Sequence, residues 1–139
     1  MSLADPEQTN GIGANGSGAR AARAHRLLAA QQFIDENLQR DDLTPTVTAQ
    51  ALGISVRQLH MLFEPTGCSF SRHVLARRLE RARQELASDP DRAVVEIALA
   101  CGIKSSTVFY RGFRHAFGMN PTDYRQSVRG SGTPIGPGE

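Results

Sequence analysis

The chain has 139 residues, the size of one ordinary domain or of two very small ones sharing a core. No run approaches the roughly 18 to 20 apolar residues of a membrane-spanning helix, and the N-terminus lacks the basic-then-apolar layout of a secretory signal, so a soluble, cytoplasmic protein with no membrane role is expected. The formal charge of +2 hides an asymmetry: all 16 Lys and Arg lie between Arg20 and Arg129, with only 11 of the 14 Asp and Glu, a local net of +5. All but one of these cations are arginine, whose planar fork of donors matches phosphate and guanine edges. A high-GC genome produces the same bias, so composition alone leaves a polyanionic partner open. Cys68 and Cys101 are far apart and form no CxxC pair, which argues against a disulfide framework.

Residues 1–19 mix Gly, Asn and Ser without apolar periodicity and read as a disordered tail or interdomain linker stub, with Met-Ser-Leu a cloning remnant; the chain reads as a piece of a longer protein. Seven helices are then predicted, with no alternating strand run. The first covers about Ala21 to Leu38, with Leu27, Ala30, Ile34 and Leu38 on one face. The second is short, about Thr46 to Leu52, and the third runs from an N-cap at Ser55 to Glu64, before Pro65. The fourth spans about 69–87, with Leu75, Leu79, Ala82 and Leu86 on its buried face and Arg72, Arg77, Arg81 and Arg83 mostly off it. The fifth covers about Val94 to Cys101, the sixth Ser105 to Ala116, and the seventh starts near Pro121 and fades by Val128. Residues 130–139 read as a second tail.

A short internal echo organises this string. Ala49-x-x-x-Gly53-Ile54-Ser55 recurs as Ala98-x-x-x-Gly102-Ile103-Lys104-Ser105, with one residue inserted. Each copy reads as a helix-turn-helix: the small alanine lets two helices cross closely, the glycine accepts a positive φ, and the isoleucine plugs the corner. After each serine an apolar pair four residues apart, Leu59 and Phe63 or Phe109 and Phe113, faces inward and leaves the opposite helix face free. One such hairpin is commonly structural. Two in tandem, about 44–65 and 93–117, joined by a helix of roughly 28 Å, suit major grooves roughly 34 Å apart on one face of DNA.

The runs Ser55 to Phe63 with Gly67, Arg78-Leu79-Glu80-Arg81-Ala82, Glu96 to Gly102, and above all Phe113-Arg114-His115-Ala116-Phe117-Gly118-Met119-Asn120-Pro121-Thr122-Asp123-Tyr124-Arg125 resemble the AraC/XylS family of transcription regulators. The resemblance covers about Ala24 to Arg125. It implies an all-α domain over 20–129, with seven helices in two helix-turn-helix subdomains joined by a long linker helix. It also implies sequence-specific binding to double-stranded DNA as an activator or repressor, with RNA polymerase a partner of the full-length regulator and the isolated domain a monomer. Carried over by position, it implies base or phosphate contacts from Val56, Arg57, His60 and Met61 in the first reading helix, and from Ser106, Thr107, Tyr110 and Arg111 in the second.

The helical wheel independently turns 57, 60, 61 and 64, and 107, 110, 111 and 114, outward. Arg111 and Arg57 suit phosphate or guanine, whereas Arg114 and His115 suit phosphate. Two departures from the family's pattern stand out. Met61 replaces a usual arginine and cannot bond guanine, and Ile103 replaces a usual phenylalanine; the second unit is therefore expected to be the main sequence reader. Arg78, beside the Leu79 seam, reads as a structural arginine bracing the fourth helix.

His25, His60, His73 and His115 have no ligand spacing with each other or with the cysteines, so no metal is expected. No phosphate loop and no set of nucleophile, base and orienter can be assembled, so no cofactor and no enzymatic activity are expected. Two other readings stay open at this point. A helical protein-interaction module would lack salt-dependent DNA binding, and a thiol-dependent DNA-repair adaptor domain would accept an alkyl group on Cys68 or Cys101.

Overall fold

A computed structural model describes residues 11–132, and side chains from 18 to 129. Seven α-helices follow one another: α1 (Gly11–Glu36), α2 (Pro45–Leu52), α3 (Val56–Phe63), α4 (Phe70–Ser88), α5 (Val94–Ala100), α6 (Ser106–Phe117) and α7 (Pro121–Gly132), with a single 3₁₀ turn, Glu64–Thr66, after α3. No strand occurs among the described residues, and the expected all-α class holds. The described residues divide into two compact units, one of 11–36 and 44–69, the other of 37–43 and 70–132.

In the first unit, α1, α2 and α3 all contact one another. Ala30 and Ile34 of α1, Ala49 of α2, and Leu59, Leu62 and Phe63 of α3 are buried. The predicted start of α1 is corrected: it begins at Gly11 rather than near Ala21, so residues 11–19 are helical where a tail was expected. That stretch carries no apolar periodicity to announce a helix. Once the turns around Ala30 and Ile34 are packed, each further residue adds one backbone hydrogen bond without a new nucleus. The remaining parts of the two expected tails, residues 1–10 and 133–139, lie outside the described residues.

The end of α1 also differs. The helix stops at Glu36, and Leu38, expected on its apolar face, belongs with the second unit, where Leu38 and Leu43 are buried. Arg78 of α4 captures this segment: its Nε donates to the Leu38 carbonyl at 2.9 Å and its Nη2 to the Arg40 carbonyl at 3.0 Å. The structural role expected for Arg78 is therefore met, although what it braces is the 37–43 segment.

The second unit packs α5, α6 and α7 around α4. Leu79, Ala82 and Leu86 of α4 meet Ile97, Ala98 and Cys101, Ile103, and Phe109 and Phe113, with Leu75, Phe117 and Tyr124 at the margin. The Phe113 ring lies 4.6 Å from that of Phe117 and 5.8 Å from that of Tyr124, both edge-on, the arrangement aromatic quadrupoles favour. Arg83, expected mostly off the buried face of α4, lies at its margin with its side chain 34% exposed. Its guanidinium sits 5.7 Å from the Phe117 centroid and 5.9 Å from that of Tyr124, pairs with Glu80, and donates to Tyr124 Oη at 3.1 Å. The two rings draw the cation toward the core edge.

Candidate nucleic-acid interface

The two echoed segments fold into the same local structure. In the first, Gly53 ends α2 at φ 72, and the Ile54 N–H donates back to the Ala49 carbonyl at 3.0 Å. In the second, Gly102 has φ 92, and the Ile103 N–H donates to the Ala98 carbonyl at 2.9 Å. The alanine of the motif thus supplies the acceptor that closes the turn and the isoleucine supplies the donor, with glycine taking the left-handed conformation between them. Ser55 then starts α3 with a full capping box: its Oγ accepts from Gln58 N at 3.0 Å while Gln58 Oε1 accepts from Ser55 N at 2.8 Å. Ser105 starts α6 by accepting from Val108 N at 3.2 Å. The inserted Lys104 reaches Asp41 at 3.0 Å, an exposed pair of small energetic weight.

Capped in this way, α3 buries Leu59, Leu62 and Phe63, and α6 buries Phe109 and Phe113. Those ridges fix which faces look outward. Val56, Arg57, His60 and Met61 are exposed on α3, as are Ser106, Thr107, Tyr110, Arg111 and Arg114 on α6. His115 is exposed beside Arg114 in the last turn of α6. The Tyr110 ring stands edge-on to that of Phe109 at 5.8 Å, so its orientation is held from beneath. Val108, 44% exposed, joins this face without having been expected there. Its signal in the sequence is negative, since it falls outside the Phe109–Phe113 ridge.

The arginines sort themselves by what they bind. Arg40, Arg78, Arg83, Arg92, Arg125 and Arg129 are engaged with carboxylates or carbonyls of the protein. Among the described residues no ion pair engages Arg57, Arg111 or Arg114. A guanidinium with no internal partner keeps its five donors for an external acceptor, and phosphate or a guanine edge uses two at once.

Cys101 is fully buried in the second core, and that burial pushes its thiol up to about 11, which keeps it protonated and unreactive at neutral pH. Among the described residues no group of three His, Cys, Asp or Glu could hold a metal ion, and no helix is long and apolar enough to cross a membrane.

Comparison with known proteins accords with this geometry. A helix-turn-helix domain family matches residues 48–127. The transcriptional activator NphR of Rhodococcus sp is 34% identical over 110 residues, which are 79% of this chain and 32% of that protein. The transcriptional regulator GbdR of Pseudomonas aeruginosa is 36% identical over 104 residues, 74% of this chain and 25% of that protein. The chain thus spans about a third or less of the length of these relatives. Among solved structures, a transcriptional regulator from Chromobacterium violaceum, described as AraC-type and DNA-binding, superimposes with a TM-score of 0.70 at 32% identity, over 78% of this chain and 96% of that one.

Proposed function

The chain belongs to the AraC-type helix-turn-helix family of transcription regulators, and from that membership we propose that residues 20–129 read one duplex through α3 and α6, set into successive major grooves. The observation that carries the reading is the coincidence of two features on both helices: each is serine-capped on an Ala–Gly–Ile turn, and each presents arginine with no internal ion pair among the described residues, Arg57 on α3 and Arg111 and Arg114 on α6. Arg111 takes the role of guanine reader, with Ser106, Thr107 and Tyr110 on neighbouring bases or phosphates. Arg57 and His60 take the corresponding roles on α3, where Val56 and Met61 offer apolar contact to thymine methyl groups. Arg114 binds phosphate.

NphR is named an activator; for a longer regulator containing this domain, the proposed second partner is RNA polymerase and the proposed compartment is the cytoplasm. The domain itself binds as a monomer, and no catalytic step or cofactor enters. Selection of bound sequences from a random duplex library, followed by titration at two salt concentrations, tests the reading. The expected product is an asymmetric site of about two turns, bound by one chain, with affinity falling steeply as rising salt lowers the entropy gained by counterion release. Binding no tighter than that of an unrelated protein of equal charge would refute it.

A further inference from the structure

The core-facing stripe of α1 changes character partway along the helix. Toward its C-terminal end, Leu27, Ala30 and Ile34 follow at spacings of three and four, the last two fully buried. Continued back by the same spacings, the stripe reaches Arg26 and Arg23, then Ala22 and Ala19. These four residues form one wall of an open groove whose other wall is α3, with Gln58 and Met61. Two of the four positions that would continue an apolar contact are thus arginines, and they line the groove beside the flank of a reading helix.

Two further facts bear on what the groove takes. Both arginines are exposed, and no ion pair among the described residues engages them or Arg20, one turn further out. The carboxylate lining the groove is Glu64, so two guanidiniums outweigh one negative charge there. Met61, which shares this wall, lies one turn after Arg57 on the exposed face of α3, so the groove adjoins the proposed reading surface. Its floor includes Ile54 and Leu62, against which an arginine stem can lie while its head reaches a polar acceptor.

We propose that Arg23 and Arg26, extended by Arg20, form a phosphate-binding ridge on α1 that widens the first unit's grip on duplex DNA, the occupant being the sugar–phosphate backbone flanking the groove read by α3. The inference rests on the DNA reading above. A ridge of this kind supplies affinity and register without sequence information, since phosphates are the same at every base pair. It also compensates for Met61, which offers α3 no charged contact.

The test compares the full chain with the double variants Arg23→Gln/Arg26→Gln and Arg23→Lys/Arg26→Lys, each titrated with matched and mismatched duplexes over a range of salt. Loss of two phosphate contacts makes the slope of log affinity against log salt shallower by about 1.8 units, at roughly 0.9 per contact. The glutamine variant is expected to show that change equally on both duplexes, with thermal unfolding unchanged and base preference intact. The lysine variant restores the slope, because a phosphate accepts a point charge, whereas a packing role would not be restored. A glutamine variant that keeps the wild-type slope, while the wild type binds with sequence preference, overturns the ridge and leaves the DNA reading standing. A wild type that does not bind overturns both.

Discussion

Arg78→Met separates the energetic role of this side chain from its bulk. Methionine keeps most of the stem and its packing while removing the guanidinium, which donates to the Leu38 carbonyl from a partly buried position and to the Arg40 carbonyl from an exposed one. A charged donor in the partly buried setting contributes about 1.5 to 3 kcal/mol, and the exposed bond about 0.5 to 1. With some of this returned by water at the freed carbonyls, the expected loss is about 2 to 3 kcal/mol. For a unit of this size each kcal/mol lowers the melting temperature by about 4 to 8 °C, so a fall of roughly 8 to 24 °C is expected. Urea unfolding followed by circular dichroism should show the midpoint falling with the slope m unchanged. Arg78→Lys, which can satisfy only one carbonyl well, should lie between the two. DNA affinity measured well below the transition should not change, because the outward faces of α3 and α6 are untouched. A destabilisation below about 0.5 kcal/mol would refute the claim that this arginine holds the 37–43 segment in place.

The two echoed glycines should respond differently to alanine. At Gly53 the new methyl meets nothing within 4 Å and only the positive φ is strained, about 1 to 2 kcal/mol; at Gly102 it would also overlap the Leu38 carbonyl and come within 2.8 Å of Arg78 Nε, so Gly102→Ala should cost clearly more in denaturant midpoint, and equal losses would contradict the close approach. Thr48 is completely buried with no partner for Oγ1 among the described residues, and its counterpart in the echo is the apolar Ile97; Thr48→Val should raise stability by about 1 kcal/mol, and a lowered denaturant midpoint would mean the hydroxyl is satisfied in solution. Arg111→Ala should relax base preference in one half of the selected site, where a bidentate guanine contact is worth about 1 to 3 kcal/mol, whereas Met61→Ala should cost about 1 kcal/mol or less; uniform weakening of all sequences by Arg111→Ala would reassign it to phosphate.

What the sequence determined by itself is everything encoded within four or five residues along the chain. The serine that starts α3, the glycine and isoleucine that close each turn, and the apolar pairs that orient α3 and α6 are local signals, because a cap or a helical ridge is satisfied by its own neighbours. For that reason the outward set from Val56 to Arg114 was legible before any packing was known. Tertiary structure decided what depends on residues far apart. Leu38 looked like the continuation of an apolar helix face, yet its carbonyl is bound by Arg78, 40 positions later, and the helix stops short of it. Spacing placed Arg83 off the apolar face of α4, but that Tyr124, 41 positions away, would meet it with a ring and a hydroxyl was not legible locally. Arg23 and Arg26 acquire a direction only when α3 is laid beside α1. Periodicity says which side of a helix is apolar, but which helix, loop or ligand meets that side is set by packing between distant segments, and no local pattern carries it.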